Sequence, residues 1–194
     1  MAAPLALFLD ELETPVGTML LIVDEAGALR VADFHDYDER MRKLLARHYG
    51  AEGQGYTITR APLPVTIRDA FSAYFAGDLA AIDAIPVATG GTDFQRQIWA
   101  APVATGGTDF QRQIWAALRT IPAGTTISYG ELARRIGNPS AVRAVGLANG
   151  ANPIAIVVPC HRVIGANNSL TGYGGGLHRK QWLLEHESQI QRLL

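Results

Sequence analysis

The sequence predicts a mixed α/β (α+β) fold built from two modules, and three features of its 194 residues lead to this prediction. β-rich runs and amphipathic helical patterns alternate in the first 85 residues, whereas short capped helices and one apolar run dominate the chain from residue 108 onward. An exact repeat separates these two parts. We therefore predict an N-terminal α/β domain over 1–85, a linker over 86–107 and a second domain over 108–194.

The N-terminal module begins with two β-rich runs, at 16–23 and 28–34, and the acidic and Gly-containing residues between them predict a hairpin. Apolar residues then recur with the spacing of an amphipathic helix over 38–49. A second helix is predicted over 65–75 and ends at Gly77, because glycine commonly terminates helices. This half of the chain contains no recognisable catalytic motif.

The repeated segment is PVATGGTDFQRQIWAA, which occurs at 86–101 and again, unchanged, at 102–117. Structural repeat families have longer units that drift in sequence, so we interpret the repeat as a recent duplication, an engineered insertion or a sequence error. Each copy contains a capping box, Thr92 with Gln95 and Thr108 with Gln111. We predict that the second copy occupies the native position, because it continues without a break into the C-terminal module.

The C-terminal module contains two predicted helices around a tight turn. A capping box opens the first helix, over 128–136, and the Gly-Asn-Pro turn at 137–139 leads into the second, over 139–149 with the proline at its first position. Two short helices around a Gly-containing turn are typical of a helix-turn-helix. The apolar run at 154–158 then predicts a buried strand, which ends at the Pro-Cys-His-Arg sequence of 159–162.

Composition excludes several classes of protein. The chain is 48% hydrophobic and 18% charged, which is typical of a globular domain, and no apolar run approaches the roughly 20 residues that span a bilayer. Acidic residues at 10, 11 and 13 follow the apolar start, so a signal peptide is not expected. The single cysteine forms no internal disulfide and no cysteine-rich zinc site. We therefore predict a cytoplasmic protein without a metal.

Charge is distributed unevenly along the chain. Residues 1–85 carry 13 acidic and 7 basic side chains, whereas residues 86–194 carry 5 acidic and 10 basic ones. A basic half is the electrostatic footprint of a phosphate-binding surface, and an acidic half would face away from it. A chance difference between two modules explains the same counts.

Cys160 is a candidate nucleophile. It follows the apolar run and a proline, and His161 is its neighbour. A free thiol titrates at about 8.5 and only its thiolate is strongly nucleophilic, so this role needs a nearby base or a helix N-terminus. In an extended chain the two side chains point to opposite sides, so His161 needs a bridging water or a turn to act as that base. For the dipeptide alone, an inert buried cysteine is the alternative.

The string NPIAIVVPCHRVIG at 152–165 resembles the active-site signature of the O6-alkylguanine-DNA alkyltransferases. Further segments match this family in order and spacing, at 127–129, 143–146, 172–176 and 180–187. The resemblance covers nearly the whole chain. It is closest to the short bacterial Ogt branch, whose Thr-Pro-x-Gly start recurs at 14–17.

The resemblance implies a ribonuclease-H-like N-terminal domain followed by a winged-helix-like, helix-turn-helix catalytic domain. The implied activity is that of a methylated-DNA–protein-cysteine S-methyltransferase, which reverses DNA damage directly. A methyl or larger alkyl group passes from O6-alkylguanine, and from O4-alkylthymine, in double-stranded DNA to Cys160, once per molecule and without a cofactor. A monomer is expected, with association through 86–101 as the alternative.

The resemblance also implies residue roles. Cys160 accepts the alkyl group, His161 takes its proton through a water, and Glu187 orients the imidazole. Tyr129 donates a proton or hydrogen bond to the departing guanine, and Asn152 braces the turn between the recognition helix and the active site.

Arg143 replaces the extruded base, and small residues on the recognition helix allow it to approach the minor groove, although helix packing is the alternative for them. The implied DNA contacts are Arg134, Arg135, Arg143, Ala141, Ala144 and Gly146. The implied base pocket consists of Tyr173, Gly174, Gly175, Val158 and Pro159. Gly174 stands where some members have serine, which removes a hydroxyl contact.

Three rival functions share parts of this pattern. Alkyltransferase-like proteins bind damaged DNA on the same scaffold but lack the cysteine. A cysteine hydrolase would use Cys160 and His161 with turnover. A transcription factor would need the helix-turn-helix and not the Pro-Cys-His-Arg motif.

Overall fold

The computed structural model describes residues 3–87 and 108–193. The N-terminal part is a four-stranded sheet with helices packed against it. Its strands have the order β3-β2-β1-β4, with β1 and β3 antiparallel to β2, and β4 parallel to β1. The elements are β1 Leu5–Leu12, β2 Met19–Asp24, β3 Leu29–Phe34, α1 Asp38–Tyr49, β4 Tyr56–Arg60 and α2 Val65–Ala76.

The predicted hairpin and both predicted helices are present. β2 and β3 form the hairpin, α1 has the predicted bounds, and α2 ends at Gly77 in the left-handed conformation that glycine adopts without strain. The strands β1 and β4 were not predicted. α1 connects β3 to β4 and packs on one face of the sheet, where Met41 and Leu45 are buried against strand residues.

The C-terminal part is mainly helical. Its elements are α3 Asp109–Arg119, β5 Ile127–Ser128, α4 Tyr129–Arg135, α5 Val142–Gly150, β6 Val163–Ile164 and α6 Leu177–Leu193. The two short strands pair in parallel and bring the start of α4 beside the segment that follows the Pro-Cys-His-Arg motif. The sheet in the first part and the helices in the second confirm the α/β (α+β) class.

The helix of the second repeat copy is part of the core. Thr108 forms the predicted capping box with Gln111 at the start of α3. Ile114 and Trp115 are fully buried, and the Trp115 indole donates a hydrogen bond of 2.9 Å to the Ala148 carbonyl in α5. The second copy therefore forms a capped helix that packs in the core. Which of the two copies takes the native position stays a prediction. The first-copy capping box, Thr92 with Gln95, lies outside the described residues.

Two predictions in this half are wrong in detail. The second helix begins at Val142 and not at Pro139, because the Ala141 amide donates to the Asn138 carbonyl and closes a turn over 138–141. The apolar run at 154–158 is not a strand but a tight buried turn. The Val158 amide donates to the Ile154 carbonyl at 3.0 Å, and Ile156 has a φ of 71°. Burial of the whole turn explains why its sequence is continuously apolar.

The two halves share one hydrophobic core, which runs from the sheet through α2 into α3, α4 and α5. The outer edge of β3 pairs with the segment before the cysteine. The Ala32 amide donates to the Pro153 carbonyl, and the Ala32 carbonyl accepts from the Ala155 amide. The sheet edge therefore positions the active-site turn. Within the described ranges, no helix is long and apolar enough to cross a membrane. The predicted domain boundaries stay a prediction.

Candidate active site

Cys160 begins a short 3-10 helix, Cys160–Arg162, and its side chain is almost completely buried. The Asn152 side-chain amide donates to the Cys160 sulfur at 3.1 Å and to the Val158 carbonyl at 2.8 Å. The Asn149 side-chain amide donates to the Cys160 backbone carbonyl at 3.3 Å. Asn152 thus joins the end of α5 to the cysteine, where the resemblance placed it.

The pKa of the Cys160 thiol is raised by burial. The hydrogen bond from Asn152 and the positive charges of Arg40 and Lys180 act in the opposite direction. The thiol therefore needs a base to become a thiolate at neutral pH.

Glu187 lies beside the cysteine segment and is surrounded by hydrogen-bond donors. Its Oε1 accepts from His161 Nε2 at 2.9 Å, from Arg162 Nη2 at 2.8 Å and from the Tyr74 hydroxyl at 2.9 Å. Its Oε2 accepts from Arg162 Nε and from the Gly124 amide, both at 3.0 Å. Burial alone would raise the pKa of Glu187, but His161 and Arg162 keep it well below its usual range.

These contacts determine the tautomer of His161. An ionised carboxylate only accepts hydrogen bonds, so His161 Nε2 carries the proton and Nδ1 has the free lone pair. Burial keeps the pKa of His161 below its usual value despite Glu187. Nδ1 is buried and has no hydrogen-bond partner among the described residues. His161 therefore carries its proton on Nε2, and its Nδ1 is the nitrogen that can accept a proton.

A cavity of about 470 Å³ lies between α5 and the loop before α6. Its lining residues are Tyr129, Val142, Gly146, Gly150, Thr171, Gly172, Tyr173 and Gly174. Burial raises the pKa of Tyr173 well above its usual value, and the neighbouring Cys160 charge adds to this effect. The Tyr173 ring also makes an edge contact with the His161 ring, so the cavity lies beside the residue that follows the cysteine. Of the predicted pocket residues, Tyr173 and Gly174 line it, whereas Gly175, Val158 and Pro159 do not.

Helix α5 has one exposed and one buried face. Val142, Arg143, Ala144 and Leu147 are exposed, whereas Val145 and Ala148 are buried. Gly146 faces the Tyr129 ring, since a Cβ there would lie 3.8 Å from Tyr129 Cδ1.

On α4, Arg134 and Arg135 are exposed, but both form ion pairs with Glu131. Their positive charge is therefore partly balanced. The Ser128 side chain caps the helix by accepting from the Glu131 backbone amide, which is one of the two hydrogen bonds of the predicted capping box.

Known proteins are similar to this chain over the region that holds the site. The family model of the 6-O-methylguanine DNA methyltransferase DNA-binding domain matches residues 109–189. A methylated-DNA–protein-cysteine methyltransferase of Shigella flexneri is 47% identical over 186 residues, which cover 96% of this chain and 98% of the relative. The chain belongs to this family. A Mycobacterium tuberculosis methylated-DNA–protein-cysteine methyltransferase is 55% identical over 119 residues, or 61% of this chain and 62% of the relative.

Solved structures of this methyltransferase family agree with the fold. The crystal structure of M. tuberculosis OGT in complex with DNA has a TM-score of 0.69 at 37% identity, covering 96% of this chain and 94% of that one. The O6-methylguanine-DNA methyltransferase of Pyrococcus kodakaraensis KOD1 has a TM-score of 0.57 at 23% identity, covering 93% and 98%. The second comparison supports the fold alone.

Sequence reasoning missed an arginine that links the N-terminal part to the methyltransferase site. Arg40 in α1 forms an ion pair with the buried Asp33 and donates to the Gly150 carbonyl at 2.8 Å and the Asn152 carbonyl at 3.0 Å. Its guanidinium also packs on Gly174, where a Cβ would lie only 2.6 Å away. A serine at position 174 would therefore require the Arg40 guanidinium to shift. An acidic residue inside the apolar β3 was the available signal.

Lys180 is a second residue without a predicted role. It is fully buried, and its Nζ donates to the Val163 carbonyl at 2.6 Å and the Thr171 carbonyl at 2.9 Å. Burial lowers the pKa of Lys180 to about 8, while the Cys160 charge opposes this shift. Lys180 thus connects the strand after the motif to the loop that lines the cavity.

Proposed function

We propose that this chain repairs double-stranded DNA by transferring the alkyl group of an O6-alkylguanine, and of an O4-alkylthymine, to the Cys160 sulfur. This proposal is carried by one buried cysteine that accepts a hydrogen bond from Asn152 and directly precedes the histidine of a buried His161–Glu187 pair, whose ring contacts Tyr173 at a cavity. The names of the relatives describe methyl transfer from DNA to a protein cysteine. We expect the chain to act as a cytoplasmic monomer.

The proposed reaction begins with loss of the thiol proton. His161 Nδ1 accepts it through a water, and Glu187 stabilises the resulting imidazolium without becoming protonated. The thiolate sulfur then attacks the alkyl carbon in line with the carbon–O6 bond. That bond breaks, and its electron pair stays on the guanine oxygen. Tyr129 donates a proton or hydrogen bond to the base as this charge develops.

The alkylated oxygen lies within the base stack, so the nucleotide must leave the duplex before the sulfur can reach it. The cavity between Tyr129 and Tyr173 receives the base in this proposal. α5 faces the minor groove with its exposed small residues, and Arg143 enters the space that the base vacates. Arg134 and Arg135 contribute contacts to the phosphates.

The product determines the kinetics. S-alkylcysteine is a thioether without an activated carbonyl, so water cannot readily remove the alkyl group. The chain contains no second cysteine that could take it. The reaction therefore runs once per molecule.

The test is intact-mass measurement after incubation with an oligonucleotide that contains O6-methylguanine. We expect a gain of about 14 Da, which is one methyl group replacing a proton, on the peptide that carries Cys160. Cys160→Ala should bind the oligonucleotide without gaining mass. Repair beside an unmodified Cys160, or repeated turnover of an ester substrate, would favour a hydrolase. Binding without transfer by the unaltered chain would favour a damage-recognition protein.

A further inference from the structure

Tyr74 is the one residue from outside the C-terminal part among the described donors to Glu187. It lies in α2, is fully buried, and donates its hydroxyl to Glu187 Oε1 at 2.9 Å. The same oxygen accepts from His161 Nε2 at the same distance. The N-terminal part therefore contacts the atom that orients the base.

The position of Tyr74 is set from both sides. Its backbone carbonyl accepts a hydrogen bond of 2.9 Å from His186 Nε2, and its ring makes an edge contact with the His186 ring. Glu187 is the next residue along α6. The tyrosine hydroxyl and the carboxylate are thus held together by adjacent contacts between the same two helices.

We propose that Tyr74 is a positioning residue for alkyl transfer, whose hydroxyl shares the charge of Glu187 and thereby limits the basicity of His161. The inference rests on the proposed function of His161 as the base. A hydroxyl that donates to a carboxylate takes up part of its negative charge. Without this bond, Glu187 Oε1 would attract the His161 imidazolium more strongly.

The direction of the effect follows from the groups that face His161. Glu187 stabilises its protonated form, whereas burial, Arg162 and Lys180 oppose it, and the Tyr173 ring makes an edge contact with the imidazole. Cys160 precedes it in the chain. Tyr74→Phe leaves all of these groups in place and removes one donor from Glu187. The pKa of His161 therefore rises in the variant, so its neutral form is lost at a higher pH.

The experiment measures the single-turnover rate constant of methyl transfer between pH 5 and pH 9, at saturating oligonucleotide. We expect Tyr74→Phe to move the acid limb of this profile to higher pH by about half a unit or more. Tyr56→Phe is the matched control, because Tyr56 is also a buried tyrosine but packs in the cluster under α1. It should leave the limb in place.

A double variant tests whether Tyr74 acts through the charge of Glu187. In a Glu187→Gln background the charge is absent, so adding Tyr74→Phe should shift the limb no further. If the unaltered chain transfers the methyl group and the acid limb of Tyr74→Phe lies at the same pH, the role of Tyr74 is overturned and the proposed function is not. Equal shifts in Tyr74→Phe and Tyr56→Phe overturn it too. Failure of the unaltered chain to alkylate Cys160 overturns the proposed function as well.

Discussion

At the scale of single residues, the site depends on the Glu187 carboxylate, whose two oxygens accept several hydrogen bonds. Five hydrogen bonds from described groups reach its two oxygens, and two of them come from Arg162. Such a carboxylate is a poor proton acceptor, so it orients and stabilises His161 while the proton remains on the imidazole. The same contacts make Glu187 a contributor to folding stability.

The pH dependence of stability tests this contribution. The folded-state pKa of Glu187 lies well below its unfolded value of 4.5, so its stabilisation is complete above about pH 4.5 and is lost as pH falls below it. Glu187→Gln should cost about 3–5 kcal/mol at pH 7, because Arg162 loses its buried partner. Below pH 4.5 the gap between the two proteins should narrow, by up to about 1.4 kcal/mol per pH unit.

Urea unfolding at a series of pH values measures this gap. Glu185→Gln is a matched control, since Glu185 is exposed on the same helix. It should leave the stability curve nearly unchanged. The difference in free energy of unfolding between Glu187→Gln and the unaltered chain could instead stay constant from pH 7 to pH 3. That result would mean that these contacts do not lower the pKa of Glu187.

At the scale of elements, helices with a clear period and cap were predictable, and buried turns were not. The spacing of Met41 and Leu45 located α1, and Gly77 located the end of α2. The run at 154–158 has the composition of a buried strand, but tertiary packing against β3 folds it into a turn. Periodicity does not distinguish the two, because every residue of the run is buried.

The site was predictable where the family motif lies and unpredictable where distant elements meet it. Cys160, His161, Asn152 and Glu187 come together as the resemblance implied, although their roles remain proposals. Arg40 and Tyr74 reach the same region from helices that carry no motif. Their local patterns predict only helix faces, and their contacts arise from the packing of α1 and α2 against the C-terminal part.

The exposed face of α5 carries a prediction of its own. If Arg143 fills the gap left by the flipped base, Arg143→Ala should slow transfer from duplex DNA by about tenfold or more, since unstacking a base costs a few kcal/mol. Transfer from the free alkylated base should change little. Single-turnover rates on both substrates measure the difference. Equal losses on the two substrates would mean a structural or purely electrostatic role.

Arg134→Ala is the control for charge. Arg134 is exposed on α4 and bound to Glu131. Its loss should weaken duplex binding and reduce the salt dependence of binding. The transfer rate at saturating duplex should stay the same.

At the scale of the whole molecule, the N-terminal part contacts the loop before α6 as well as sharing the core. Arg179 in α6 donates to the Val16 carbonyl at 2.7 Å, pairs with Asp36 and donates to the Gly175 carbonyl at 3.0 Å. The turn at 14–17 presents that Val16 carbonyl, because the Thr14 hydroxyl closes it by donating to the Gly17 carbonyl. The Thr-Pro-x-Gly motif therefore supports the loop beside the cavity, although it lies far from Cys160 in the sequence.

The two identical copies of the repeat are expected to contribute unequally to stability. Trp115 of the second copy is fully buried and bonded to α5, so Trp115→Ala should destabilise the protein by about 3–5 kcal/mol. Trp99, its counterpart in the first copy, lies outside the described residues. From the sequence we expect Trp99→Ala to have a much smaller effect, because only one copy continues into the C-terminal module.

Deletion of 86–101 tests the same idea on the intact protein. The shortened chain still has one complete copy after Ile85, so a Pro-Val pair remains available to replace Pro86 and Val87 beside Leu29, where these residues now bond and pair. Four residues, 104–107, would then join that pair to Thr108. The five Cα–Cα steps from Val103 to Thr108 span at most about 18 Å. We expect methyl transfer to be preserved and the urea midpoint to be unchanged or higher. Loss of folding on deletion, or a larger cost for Trp99→Ala than for Trp115→Ala, would show that the first copy is required and that our assignment of the two copies is reversed.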